Sequence, residues 1–184
     1  MNNIITKLKN WIKENHKSSK HLIRTGFWLK RIYLKADETM MIAAIAHDFE
    51  RAFPLRDKEI KIKNNDTWDL KEYLLWHGKR SAEFLGEFLR ENNASEELIS
   101  KVKELVIYHE LGGDEEKNAI KDADSISFLE NNVDRFLEGV SGEYAKQVTK
   151  NKFDFMFNRI SSLKAKKFAK PFYDKAMGKL NLTF

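Results

Sequence analysis

The sequence predicts an all-α protein, and three observations lead there. Apolar residues recur at helical spacing through most of the chain, as in Ile4, Leu8, Trp11 and Ile12. Two Pro and eight Gly in 184 residues leave too little turn chemistry for a β-rich architecture. Alternation with a period of two is nearly absent. The expected architecture is a single-domain helical bundle over residues 1–184.

Taken in order, the first helix ends near His16, placed at a surface helix end, and Ser18 and Ser19 are candidate N-caps for the second. That helix covers about Lys20 to Leu34 and carries His21 in its first turn. Asp37 reads as the N-cap of a third helix from Glu38 to about Ala52, closed by Pro54. Residues 53–66 form a polar loop with Lys61, Lys63, Asn64 and Asn65. Thr67 caps a short helical segment through Trp76, and His77-Gly78 then opens an amphipathic stretch to Leu89. Ser95-Glu96-Glu97 starts the next helix, His109 lies near its end, and Gly112-Gly113 break it. A further helix from Asp114 holds Asp122 and Asp124, and residues 143–178 supply two more.

Hydrophobic residues are 42% and charged residues 33%, and 13 Phe and 4 Trp give the chain a core to bury. The absence of cysteine excludes disulfides and thiolate metal sites, so any metal must sit on His, Asp and Glu. No stretch resembles a signal peptide or supplies the roughly 20 apolar residues of a membrane span. These absences lead to an expected cytoplasmic location and no membrane partner. A net charge of +5 fits anionic ligands, but solvated lysine faces account for it equally well. The basic run Lys164, Lys166, Lys167 and Lys170 lacks the arginine-rich, aromatic-interleaved pattern of a nucleic-acid groove, so no nucleic-acid partner is expected.

The longest uncharged apolar run, Met40 to Ala46, ends abruptly in His47-Asp48. Burying that carboxylate costs several kcal/mol unless a cation or hydrogen bonds compensate it. His21, His77 and His109 each have an ordinary explanation as surface, loop or helix-end residues. Together with His47-Asp48 and Asp124, however, they fall on or beside different helices and interrupt apolar faces. Such residues converge only inside a bundle, and bundle cores build metal sites from inward-facing ligands.

In this order His21, His47-Asp48 and Asp124 resemble the H…HD…D signature of the HD-domain metal-dependent phosphohydrolases. His77-Gly78 and Tyr108-His109 extend the likeness to the two-metal H…HD…H…H…D branch, over about residues 18–130. Residues 131–184 would then be C-terminal helices packed on that core. The resemblance implies that His21, His47, Asp48 and Asp124 bind one divalent ion and that His77 and His109 complete a second, with Asp48 bridging. Asp122 rivals Asp124, since two residues apart on a helix point in different directions; Asp124 is chosen by its place in the motif. One or two divalent ions are therefore expected, and Mn, Fe, Co, Ni, Zn or Mg would accept these ligands.

The implied activity is hydrolysis of a small phosphorylated compound, a nucleotide or phosphate ester, by a metal-activated water. Asp48, Arg51 and Glu50 are the expected catalytic residues. Glu50 could donate a proton, or could equally cap or pair with Arg51. Arg24, Arg51, Lys152 and Arg159 are the expected phosphate-binding cations, while Lys79 and Arg80 read as solvated charges or ion pairs. Trp28, Trp68, Trp76 and Phe128 read as core. Two rivals remain: an HD-type di-iron oxygenase and a non-catalytic, metal-stabilised regulatory module.

Overall fold

A computed structural model describes residues 2–55 and 70–182, and among them the regular structure is entirely helical, with no strand. The helices are α1 (Asn2–Asn15), α2 (Ser19–Ile32), α3 (Glu38–Ala46), α4 (Lys71–Glu91), α5 (Glu96–Ile107), α6 (Glu115–Asn131), α7 (Val133–Leu137), α8 (Gly142–Asn158) and α9 (Leu163–Asn181). A 3₁₀ turn, Phe49–Ala52, follows α3. Lys61, Lys63, Asn64, Asn65, Thr67 and Trp68 lie outside the described residues.

The short α3 is the axis of the arrangement. Every residue from Met40 to Ala46 is buried, and α1, α2, α5 and α6 pack around it. Fully burying each of its Ile and Met side chains contributes about 1.5–3 kcal/mol, which is why a helix without a polar face stays central. Asp37 caps it, Oδ1 accepting the Met40 amide at 2.9 Å. Ser95 and Asp114 likewise cap α5 and α6. Gly112 and Gly113, with φ of +74° and +147°, turn the chain between those two helices.

Two elements differ from the sequence expectation. The third helix stops at Ala46 instead of continuing to Ala52, because its end is set by tertiary contacts. Asp48 leaves helical geometry (φ −100°, ψ 21°), and its carbonyl accepts the Arg51 amide at 3.0 Å and faces His16 Nε2 at 3.2 Å. His77-Gly78 does not open a helix either. Both lie inside the single long α4, where a Cβ on Gly78 would come 2.4 Å from the Ile107 carbonyl oxygen. The glycine therefore lets α4 press against the end of α5, which brings His77 beside His109.

In the last third, α8 and α9 pack on α6, and the short α7 precedes the two helices that the sequence predicts. Asp122 on α6 fixes the turn between α8 and α9. Its Oδ1 accepts the Ser161 amide at 2.7 Å and its Oδ2 the Ser162 amide at 2.9 Å.

Candidate metal centre

His21 on α2, His47 and Asp48 after α3, His77 on α4, His109 after α5 and Asp124 on α6 meet in one buried cluster, none more than 5% exposed. One ligand atom each from His21, His47 and Asp48 lies within 4.8 Å of the others, and the same holds for Asp48, His77 and His109. Asp48 belongs to both groups. Asp124 joins the first through Oδ1, which is 3.1 Å from His21 Nε2 and 3.2 Å from His47 Nε2.

The rings are fixed from behind. His47 Nδ1 donates to the Ala44 carbonyl at 2.9 Å, and His109 Nδ1 donates to the Val106 carbonyl at 2.7 Å. His77 Nδ1 donates to Glu50 Oε1 at 2.9 Å. Ser127 Oγ donates to the His21 carbonyl at 2.7 Å and accepts His21 Nδ1 at 3.0 Å. In each neutral ring the proton then sits on Nδ1, and Nε2 turns a lone pair into the cluster. Metal-binding histidines are oriented in this way.

What the four Nε2 atoms face is the informative part. His77 Nε2 lies 2.8 Å from Asp48 Oδ1. A lone pair and a carboxylate oxygen attract only with a proton or another cation between them. His47 Nε2 and His109 Nε2 are buried with no hydrogen-bond partner among the described residues. Interior polar atoms left so are rare and costly. A divalent ion in each group would satisfy all four, and the imidazole–carboxylate donor set suits such ions. The residues present therefore fit the ion that the sequence implies.

Electrostatics follow the same geometry. Burial works against charge on Asp48, yet Arg51, His47 and His77 hold its carboxyl well below the usual carboxylate range. Burial likewise opposes ionisation of Asp124, and His47 and His21 overcome it. Burial opposes protonation of His47 and His77, but the aspartates raise both above the ordinary histidine value. His109 is pushed well below it by burial and by the other two imidazoles. Protons on His47 and His77 would thus occupy the places that an ion would take.

The expected cations have different positions. Arg51 is about half exposed (47%), with Nε 3.1 Å from Asp48 Oδ2 and 3.7 Å from Glu50 Oε1. Arg159 follows α8; its guanidinium contacts Asp124 Oδ2 and Glu110 Oε2, and Nε donates to Ser125 Oγ at 2.8 Å. Burial lowers its pKa to about 9, which leaves it cationic at neutral pH. Arg24 grips Glu130 with both ends of its fork, at 2.8 and 2.6 Å, and stacks on Phe27. Lys152 lies over the Phe128 and Phe155 rings at 5.6 and 5.1 Å. Glu50 is buried and clamped between His77 Nδ1 and buried Arg80, which also donates to the Glu50 and Pro54 carbonyls. Arg80 is thus an ion-pair partner, and Lys79 is exposed.

Three residues of the neighbourhood were not singled out from the sequence. His16 is buried, not on the surface: Nδ1 accepts the Ser18 amide at 3.0 Å, so the proton sits on Nε2 and is donated to the Asp48 carbonyl. Burial lowers its pKa. Ser127 lies one helical turn after Asp124, a spacing visible in the sequence once Asp124 is placed. Glu110 adjoins His109 in sequence and lies beside it in space, Oε1 to Nε2 at 3.8 Å.

The family model described as Domain of unknown function (DUF4202) matches residues 6–161, a span that contains the whole cluster and Arg159. No curated protein and no solved structure matches the chain. Among the described residues no helix is long and apolar enough to cross a membrane.

Proposed function

From the premise that the chain belongs to the family described as Domain of unknown function (DUF4202), we propose that it is a metal-dependent phosphohydrolase of the HD-domain type. It acts on a small phosphorylated compound, a nucleotide or phosphate ester. One observation carries this reading: four imidazoles held by their Nδ1 atoms aim Nε2 at two aspartates, and the buried His109 Nε2 has no hydrogen-bond partner among the described residues.

His21, His47 and Asp124, with Asp48, would hold one divalent ion; His77, His109 and the shared Asp48 would hold another. Such an ion lowers the pKa of a coordinated water towards neutrality and offsets charge on phosphate oxygens. The chain's own residues supply the rest. Asp48, ionised across the physiological range, sits where both groups need a negative charge. Arg51 is anchored through Nε, and its terminal nitrogens have no hydrogen bond among the described residues. They are free to grip two phosphate oxygens beside Asp48 in the planar geometry that guanidinium favours. Glu50, fixed by Arg80, keeps the His77 ring from rotating.

The test is purified protein, analysed for metal and assayed on p-nitrophenyl phosphate, bis-p-nitrophenyl phosphate and a nucleotide panel. Metal-dependent turnover that disappears in His47→Ala and Asp48→Ala is the expected result. Metal-loaded protein that turns over nothing overturns the reading. Oxygen consumption by the iron-loaded protein would replace it with di-iron oxygenase chemistry, and saturable nucleotide binding without hydrolysis would replace it with a regulatory role.

A further inference from the structure

We propose that Glu110 is the terminal carboxylate of the second metal position, making it the counterpart of Asp124 in the first. The proposal rests on the metal reading above and adds a ligand to it. His21 and His47 have a carboxylate of their own, Asp124, besides the shared Asp48. By that standard His77 and His109, with Asp48 alone, lack one ligand.

Glu110 stands where that ligand belongs. Its side chain is 10% exposed, and Oε1 lies 3.8 Å from His109 Nε2. His109 is fully buried, and its Nε2 has no hydrogen-bond partner. That atom has Asp48 Oδ1 at 3.9 Å and Glu110 Oε1 at 3.8 Å. The 3.8 Å separation of Glu110 Oε1 from His109 Nε2 suits two donors on one ion, because two ligands each about 2.0–2.2 Å from a metal lie up to about twice that far apart.

Arg159 provides an independent observation. The same guanidinium contacts Asp124 Oδ2 and Glu110 Oε2, and so leaves Oδ1 of one and Oε1 of the other facing histidine Nε2 atoms. Each terminal carboxylate then has one oxygen for an ion and one for the arginine. Each position becomes two imidazoles, a terminal carboxylate and the shared Asp48, a nitrogen–oxygen set suited to borderline divalent ions. Two divalent ions would still outweigh the three carboxylates, so the centre stays cationic towards a phosphate.

The simpler alternative is that Glu110 only pairs with Arg159. The two are separated by titrating wild type, Glu110→Gln and Arg159→Met with Co2+, read by calorimetry and by the visible absorption of the bound ion. The expected result is two ions in wild type and in Arg159→Met. Glu110→Gln keeps one ion at unchanged affinity and loses at least ten-fold in affinity for the other. Equal losses in both variants, or two unweakened ions in Glu110→Gln, overturn the proposal. A single ion in wild type also overturns it while leaving the phosphohydrolase reading in place, whereas no ion at all removes both. Anomalous diffraction from Co2+-soaked wild-type crystals decides the matter even where a variant does not fold. The proposal requires Glu110 Oε1 about 2.0–2.2 Å from the second ion.

Discussion

Asp48 and Asp124 divide their two oxygens in the same way. Oδ1 of each faces imidazole Nε2 atoms, at 2.8 Å for Asp48 with His77 and at 3.1 and 3.2 Å for Asp124 with His21 and His47. Oδ2 of each faces an arginine, Arg51 or Arg159. Each carboxylate is thus pinned at one oxygen and leaves the other for an ion. Arg51 helps to hold Asp48 ionised, and His47 and His21 do the same for Asp124, inside a core that would otherwise favour the neutral acids. The helix that delivers His47-Asp48 is almost wholly apolar, so the pinning has to come from other elements.

Asp122 and Asp124 should separate cleanly on substitution. Asp122→Ala leaves the Ser161 and Ser162 amides without their acceptor, which costs about 1–3 kcal/mol in chemical denaturation. Metal uptake should be unchanged. Asp124→Ala should abolish binding of the ion that His21 and His47 hold. Loss of metal in the first variant and not in the second would reverse the assignment.

The helix starts at Asp37, Ser95 and Asp114 were legible in the sequence because their causes are local. Asp37, Ser95 and Asp114 each bond an amide three residues on. The end of α3 was not legible, because a carbonyl interaction with His16, 32 residues back, helps set it. Arg24 shows the same limit. Its place one turn after His21 makes it look like a phosphate ligand, but its partner is Glu130, 106 residues away. The residue types and order of the cluster could be read, since His and Asp interrupt apolar faces; which ring each backbone oxygen orients could not.

Arg24→Met should therefore act on stability, lowering it by about 1–2 kcal/mol for a partly exposed bidentate pair, and leave substrate KM unchanged. The pair also predicts a pH dependence. Partial burial opposes ionisation of Glu130, yet Arg24 and Trp28 hold its carboxyl below the ordinary glutamate value. The stability it contributes is complete above about pH 4.5 and is lost as the pH falls through the lower folded-state value. Thermal unfolding of Glu130→Gln and wild type should accordingly differ at pH 7 and converge in acid. A gap that widens towards low pH would contradict the pairing.

His16→Ala removes the donor to the Asp48 carbonyl and the acceptor of the Ser18 amide. Partners of the ligating groups themselves are worth about 10–100-fold in metal affinity; His16 acts on the Asp48 backbone, so calorimetric titration with Co2+ should show a loss near the lower end of that range. His16→Gln, whose amide both donates and accepts, should recover part of it. An Ala variant with wild-type affinity would reduce His16 to a packing residue.

Gly78→Ala tests how the two histidine-bearing helices are brought together. An added Cβ would lie 2.4 Å from the Ile107 carbonyl oxygen and 2.9 Å from its carbon, both backbone atoms that cannot rotate aside. The helices must then separate, and overpacking of this kind costs about 1–3 kcal/mol or more. His77, adjacent to the glycine, and His109, two residues beyond Ile107, ride on the two sides of that contact. Their rings are 5.2 Å apart between centroids. The variant should show a lowered denaturation midpoint and weakened binding of the ion that His77 and His109 share, with the ion at His21 and His47 retained. Equal loss of both ions would mean that the glycine supports the whole cluster, and no loss of either would show that α4 and α5 tolerate a wider approach.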